Sequence, residues 1–214
     1  MADTQQGTPN ASGTIDFTMM YVTHDAFRRD LDRLVAAAAA GRATGPQVRE
    51  GWENFKRQLH LHHSVEDSEL WPRMQAKAGK SPLALELLAE MEAEHARIDP
   101  LLAAIDRSLA DGGRGLAERA AEARTVLVHH LEHEERDALP LIQQLLGPAD
   151  WKAFAGKMRE EQGIKGAAVY VPWIVDGIPA EGRQRFFGAM PPPVRVLNRL
   201  LWEPRYRKRE LWGA

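Results

Sequence analysis

Two segments of this 214-residue chain place a histidine four residues before a glutamate, as His62-x-x-x-Glu66 and His130-x-x-x-Glu134. On a helix, residues i and i+4 lie on the same face, so each pair would present an imidazole and a carboxylate to one side. Both groups are common ligands of transition metals. Each segment also has a second acidic residue directly after the glutamate and a proline six residues after it. The repeat predicts two helices that offer equivalent pairs of metal ligands.

A single histidine precedes each pair, His24 in the first half of the chain and His95 in the second. Two such halves, packed about a pseudo-twofold axis, would bring four imidazoles and two carboxylates to one point. Six ligands are too many for one zinc ion, which prefers about four. They suit two iron or manganese ions that share the carboxylates and keep open positions for water or a small ligand. The predicted metal ligands are His24, His62, Glu66, His95, His130 and Glu134.

Four long segments with helical periodicity must position these side chains. They cover about residues 17–40, 46–78, 82–110 and 116–146, are rich in Ala, Leu, Glu and Arg, and are separated by glycine and proline. Their apolar stripes contain the histidines, and their short connections favour antiparallel neighbours. The sequence therefore predicts an all-α protein. It would have a flexible N-terminal tail (1–16), an up-down-up-down four-helix bundle (17–146), and a C-terminal extension (147–214) of short helices and coil packed on the bundle.

Composition excludes several kinds of protein. The absence of cysteine rules out disulfides, a thiol nucleophile and an iron–sulfur cluster. The formal net charge of −2 gives no reason to expect nucleic acid as a partner. The N-terminal residues have no signal-peptide pattern, and no apolar run is long enough for a membrane span. We therefore expect a cytoplasmic protein, and the sequence leaves its oligomeric state open.

The order of these ligands resembles the hemerythrin-like (HHE cation-binding) family over about residues 17–146. The resemblance rests on His62-His63-x-x-Glu66-Asp67-x-x-Leu70-x-Pro72 and His130-x-x-x-Glu134-Glu135-x-x-x-Leu139-Pro140, each preceded by a lone histidine. It implies a non-haem centre of two iron ions, oxo- or hydroxo-bridged, that reacts with O₂, peroxide or nitric oxide. By this resemblance the four histidines would be terminal ligands, and Glu66 and Glu134 would bridge the ions.

One feature of oxygen-carrying hemerythrins is missing, namely a second histidine one turn from the third-helix ligand. The positions four before and four after His95 are Met91 and Asp99. His63, Tyr21 or water could complete the coordination. Of the other histidines, His133 is expected to lie just outside the ligands, and His60 and His129 on the surface. Four acidic residues beside the ligands are candidates to accept the second N–H of an imidazole: Asp25, Asp67, Glu94 and Glu135.

The C-terminal extension is basic, whereas the rest of the chain is acidic. Residues 151–214 hold 12 basic and 6 acidic residues, so residues 1–150 carry a net charge of −8. We expect the extension to wrap the acidic bundle, with an extended or turn-rich stretch around Pro172 and a final helix that stops at Pro204. Two other functions stay open: an iron or oxygen sensor that acts through a partner, and a di-iron oxygenase with a small organic substrate. The residues do not distinguish a carrier from an enzyme.

Overall fold

All regular structure in the computed structural model is helical, and the model describes residues 13–188 and 190–213. Ten α-helices follow one another: α1 (Thr18–Ala39), α2 (Pro46–Val65), α3 (Trp71–Ala78), α4 (Pro82–Ala110), α5 (Leu116–His133), α6 (Leu139–Leu145), α7 (Pro148–Ile174), α8 (Ala180–Gly188), α9 (Pro192–Leu197) and α10 (Glu203–Arg207). Three π-helical turns join consecutive helices without a break: Glu66–Leu70 joins α2 to α3, Glu134–Ala138 joins α5 to α6, and Asn198–Trp202 joins α9 to α10. The four segments predicted over 17–146 are therefore helical over nearly their whole length. Within the described part of the chain, no helix has both the length and the apolar character needed to cross a bilayer.

Local chemistry sets the helix ends. The Ser81 hydroxyl accepts a hydrogen bond from the Ala84 N–H at 3.4 Å, and Pro82 occupies the first turn of α4. Gly79, in the connection before Ser81, has a φ of 62°, which glycine adopts more readily than other residues. The α7 helix starts with Pro148 after Gly147, whose N–H donates to the Asp150 carboxylate at 3.0 Å.

Two apolar clusters form the core, and the predicted ligands lie between them. One cluster contains Phe27, Leu31 and Phe55, and the other contains Met20 and Leu70. Each of the four long helical segments has residues in both clusters, with its histidine at the boundary. Along the chain, the segments run between the clusters in alternating directions. The helices therefore hold a layer of histidines and glutamates between the two apolar clusters.

The N-terminal tail was predicted to be flexible over 1–16, and residues 1–12 lie outside the described residues. Of the remaining four, Ile15 is buried, and its N–H donates to the Gln143 side chain at 2.9 Å.

The C-terminal extension contains longer helices than predicted. The stretch 168–175, expected to be extended or turn-rich because of Pro172, is helical as far as Ile174, and the expectation was wrong. Burial of Val171, Trp173 and Ile174 on the bundle outweighs the hydrogen bond that proline removes. The break in α7 comes instead at Gly163, with a φ of 59°.

The final helix also continues past Pro204, where the sequence predicted a stop. The π-helical turn at Asn198–Trp202 precedes this proline, and α10 extends to Arg207.

The extension contacts the bundle through specific side chains. The Trp173 indole N–H donates to the buried carboxylate of Asp30 at 2.7 Å, and Arg33 pairs with Asp176 at 2.6 Å. At the C-terminus, the ring of Trp212 packs on the backbone of α2 at Gly51. The extension is thus part of the same core as the bundle.

Candidate metal centre

Two groups of buried side chains each bring three metal-ligating atoms together. The first consists of His24, His62 and Glu134, and the second of His63, His95 and His130. Within each group, the ligand atoms lie within 4.8 Å of one another. In the first group, Nε2 of His24 lies 3.2 Å from Nε2 of His62 and 3.3 Å from Oε2 of Glu134. Such convergence of lone-pair donors is the geometry that a cation requires.

The second group is built from stacked and perpendicular imidazole rings. The ring of His63 stacks on that of His95 with centroids 3.9 Å apart, and the ring of His130 is nearly perpendicular to both. The Nε2 atoms of all three residues are buried and have no hydrogen-bond partner within the described part of the chain. Buried polar atoms without partners are rare in proteins, so these three nitrogens are available to a ligand.

Glu66 lies between the two groups. Its Oε1 is 3.1 Å from Nε2 of His62, and its Oε2 is 3.8 Å from Nε2 of His95. Each oxygen thus faces a different group. The carboxylates of Glu66 and Glu134 are fully buried, and apart from the imidazole contacts given above, their four oxygens have no polar partner within residues 13–188 and 190–213.

The electrostatics of this layer would favour an added cation. Burial, followed by repulsion from Glu134, raises the pKa of Glu66 well above its usual value. Burial lowers the pKa of both His62 and His63 well below 6.5, and the neighbouring histidines add to this effect. Buried carboxylates need a compensating charge, and neutral imidazoles can supply lone pairs to a metal. The residues present therefore fit a metal centre.

His24 and Glu134 form the charged pair of the metal-free layer. Burial lowers the pKa of His24, but Glu134 and then Glu135 outweigh this effect and raise it to about 9. Burial raises the pKa of Glu134, but His24 outweighs it and lowers the value to about 2. A metal ion would replace the proton of His24 as the partner of this carboxylate.

Three outer carboxylates hold three of the imidazoles in orientation. Glu135 lies 2.8 Å from Nδ1 of His24, Asp67 lies 2.8 Å from Nδ1 of His95, and Glu94 lies 2.8 Å from Nδ1 of His130. A carboxylate on Nδ1 retains the proton there and leaves the Nε2 lone pair pointing inward.

Glu135 and Glu94 have further partners of their own. Arg28 pairs with Glu135 at 2.9 Å, and His133 contacts the second oxygen of Glu94 at 2.9 Å. Arg28 was not foreseen from the sequence, although its position four residues after His24 places it on the same helix face.

The amino-acid sequence also matches a known family model. The model of the hemerythrin HHE cation binding domain matches residues 16–142, which is more than half of the chain. The chain belongs to the hemerythrin HHE cation-binding family. A search of curated proteins and a search of solved structures gave no match.

The HHE domain brings the six predicted ligands into one buried layer and adds His63 to the second group. Tyr21, the other candidate for completing the site, lies elsewhere. Its side chain is 44% exposed and lines a surface cleft between α1 and the segment after α7.

The other predicted residues of the HHE domain either contact the imidazoles of the buried layer or lie away from it. Asp67, Glu94 and Glu135 contact ligand imidazoles, whereas Asp25 is exposed and pairs with Arg28 at 3.3 Å. His133 lies beyond Glu94, and His60 and His129 are exposed.

Proposed function

We propose that this protein is a non-haem di-iron protein that binds or reacts with O₂, peroxide or nitric oxide. The observation that carries the proposal is the pair of adjacent three-ligand groups with Glu66 between them, one oxygen facing each group. Two ions at these positions would have imidazole and carboxylate ligands, a set that suits iron. Membership of the HHE family supports a cation at the site.

The two groups and the family resemblance support one assignment of ligand roles. His24, His62 and Glu134 would hold one ion, and His63, His95 and His130 the other, with Glu66 and Glu134 as bridging carboxylates. Iron would supply the redox change and the open coordination positions at which a small molecule reacts. His63 would provide the fifth imidazole, for which the sequence around His95 has no residue.

The rest of the chain has three tasks in this proposal. The outer carboxylates of Glu135, Asp67 and Glu94 orient the imidazoles. The two apolar clusters limit access of water and favour ligands of diatomic size. The alternating directions of the four long segments between the clusters support an up-down-up-down order. In this order, one histidine from each segment would lie in a single layer.

The test is to purify the protein aerobically, count iron per chain and record the visible spectrum. We expect about two irons and the near-ultraviolet bands of a bridged, histidine-ligated centre. Stopped-flow mixing of the reduced protein with O₂, peroxide or nitric oxide would then separate carriage, seen as a long-lived adduct, from fast turnover.

Glu66→Gln and Glu134→Gln should each lose two-metal loading, because an amide is a poor bridging ligand. Glu69→Gln is the matched control, since Glu69 lies in the same π-helical turn as Glu66 and pairs with Arg73 instead. Full loading of both Glu66→Gln and Glu134→Gln would refute the bridging roles.

A further inference from the structure

An apolar stripe lies exposed on the C-terminal extension, far along the chain from the metal ligands. Val196, Leu197, Leu200 and Leu201 are 55%, 40%, 64% and 44% exposed. Among the described residues they are four of the seven large hydrophobic side chains that are exposed. The i, i+4 spacings 196/200 and 197/201 put them on one face of the helical segment formed by α9 and the following π-helical turn. A contiguous exposed apolar face of this kind marks an interaction surface.

The opposite face of the same segment is packed against the protein. Asn198 is buried, and Val194 and Trp202 pack against the apolar cluster that contains Phe27. The segment is therefore anchored on its inner side, and the stripe is not an unfolded end of the chain.

Basic residues are concentrated in this part of the chain, and Arg195 and Arg199 border the stripe on one side. Residues 190–209 contain six basic side chains and a single acidic one, Glu203, which is buried and paired with Arg183 and Arg207. Four of these cations form no ion pair within the described part of the chain: Arg195, Arg199, Arg205 and Lys208. An amphipathic helix with aliphatic residues on one face and cations beside them is typical of segments that lie in the headgroup region of an anionic bilayer.

The charges beside the stripe distinguish three partners that could bind there: a second copy of the chain, nucleic acid and an anionic bilayer. A second copy docked symmetrically on it would bring Arg195 and Arg199 of both copies close together, and the like charges would repel. Nucleic acid would satisfy the cations but would leave the aliphatic side chains without a partner. An anionic bilayer satisfies both, and the net charge of −8 on residues 1–150 would turn the metal-binding bundle away from it.

We propose that the stripe formed by Val196, Leu197, Leu200 and Leu201, together with the flanking arginines, docks this protein on anionic lipid surfaces. The aliphatic side chains would insert at the level of the headgroups, and Arg195 and Arg199 would contact lipid phosphates. This inference does not depend on the metal centre or its chemistry.

The test is flotation of the full-length protein with vesicles of phosphatidylcholine and phosphatidylglycerol, compared with vesicles of phosphatidylcholine alone. We expect binding to the anionic vesicles only, and weaker binding at higher salt. Arg195→Gln and Arg199→Gln should each weaken binding about fivefold, which corresponds to the usual contribution of one basic residue near such a surface. The double variant Leu200→Gln/Leu201→Gln should weaken it more than either arginine substitution.

Two controls separate the stripe from general surface effects. Leu83→Gln removes a leucine that is 79% exposed on α4, and Arg114→Gln removes an arginine that is 83% exposed. Both should float like the wild type. Thermal melts of all variants report whether they are folded.

Three results would overturn the proposal. One is the absence of binding to anionic vesicles, and another is binding that the stripe variants leave unchanged. The third is evidence that something else occupies the stripe. Such evidence would be a dimer, seen by light scattering, that Leu200→Gln abolishes, or binding of duplex DNA without binding of vesicles.

Discussion

The two adjacent histidines at positions 62 and 63 face different three-residue groups of the buried layer. Successive residues of a helix point about 100° apart, so His62 reaches the group with His24, and His63 reaches the group with His95. We expect His63→Gln to lower iron content from about two per chain toward one, since the second group would have only two imidazoles left. Metal analysis of protein purified in parallel with His60→Gln, in which an exposed histidine is replaced, measures the effect. Equal iron content in the two variants would show that His63 is not a ligand.

In the metal-free protein, the buried His63 should also make the stability of the fold depend on pH. Burial keeps its pKa well below 6.5 when folded, whereas the unfolded chain takes up a proton at about 6.5. The unfolded state therefore binds more protons as the pH falls below that value, and the wild type loses stability there. The difference in the free energy of unfolding between wild type and His63→Gln reports on this group. It should be constant above about pH 7 and should shift against the wild type by up to about 1.4 kcal/mol per pH unit below about 6.5. A difference in urea unfolding that stays constant down to about pH 5.5 would contradict this prediction.

Sequence spacing predicted which histidines come together in the buried layer, but it did not predict the orientation of residues beside the apolar stripes. A histidine in the apolar stripe of each segment predicts that the rings meet, and in the structure they face one another, although their binding of metal remains a proposal. Spacing alone did not resolve His63, because a residue beside a stripe can turn toward the core or toward solvent. Tyr21 presents the same ambiguity beside Met20 on α1, and it turns outward. Which carboxylate pairs with which imidazole depends on contacts between helices, which no local pattern encodes.

At the scale of the helix, the prolines that follow the two buried glutamates have a common geometric consequence. Glu66, Glu134 and Asn198 each begin a π-helical turn, and each lies six residues before a proline. Proline lacks an N–H and collides with the carbonyl one turn earlier, and a wider turn moves that carbonyl away from the ring. In the segments that contain Glu66 and Glu134, the carbonyl of the glutamate accepts a hydrogen bond from the residue five positions later. The Glu-to-Pro spacing was visible in the sequence, but its meaning required the backbone.

We expect Pro72→Ala to reduce metal loading without reducing stability. The substitution allows the helix to return to regular i to i+4 bonding, which would turn the backbone beyond Glu66 out of register with the apolar cluster that contains Leu70. Pro100→Ala is the matched control, because Pro100 is also exposed within a long helix but no π-helical turn precedes it. Iron per chain and the midpoint of thermal unfolding should be measured for both. Full iron content in Pro72→Ala would mean that the wide turn does not position Glu66.

At the scale of the whole molecule, the sequence predicted the helical segments better than the way the extension completes the core. Periodicity and breakers sufficed for 17–146, because each long helix carries its own apolar stripe. In the extension, Pro172 and Pro204 argued for breaks that the structure does not have. Tertiary contacts outweigh these prolines: buried Trp173 donates to Asp30 on α1, and buried Tyr206 donates to Asp176 after α7, so both depend on residues remote in sequence. Local propensity is a weak guide wherever distant packing is strong.

A substitution at Gly51 would test whether the C-terminal end of the chain packs on α2. A glycine inside a helix normally costs about 1 kcal/mol relative to alanine, so Gly→Ala is usually stabilising. At Gly51 a methyl group would lie 2.5 Å from the ring of Trp212, which is itself buried. We therefore expect Gly51→Ala to destabilise the protein by about 1–3 kcal/mol, the usual cost of overpacking. Gly156→Ala on α7, where the nearest atom is the end of the Arg159 side chain at 3.7 Å, should instead be neutral or stabilising. Urea unfolding of the two variants beside the wild type measures the contrast, and a stable Gly51→Ala protein would show that Trp212 does not hold the end of the chain on α2 in solution.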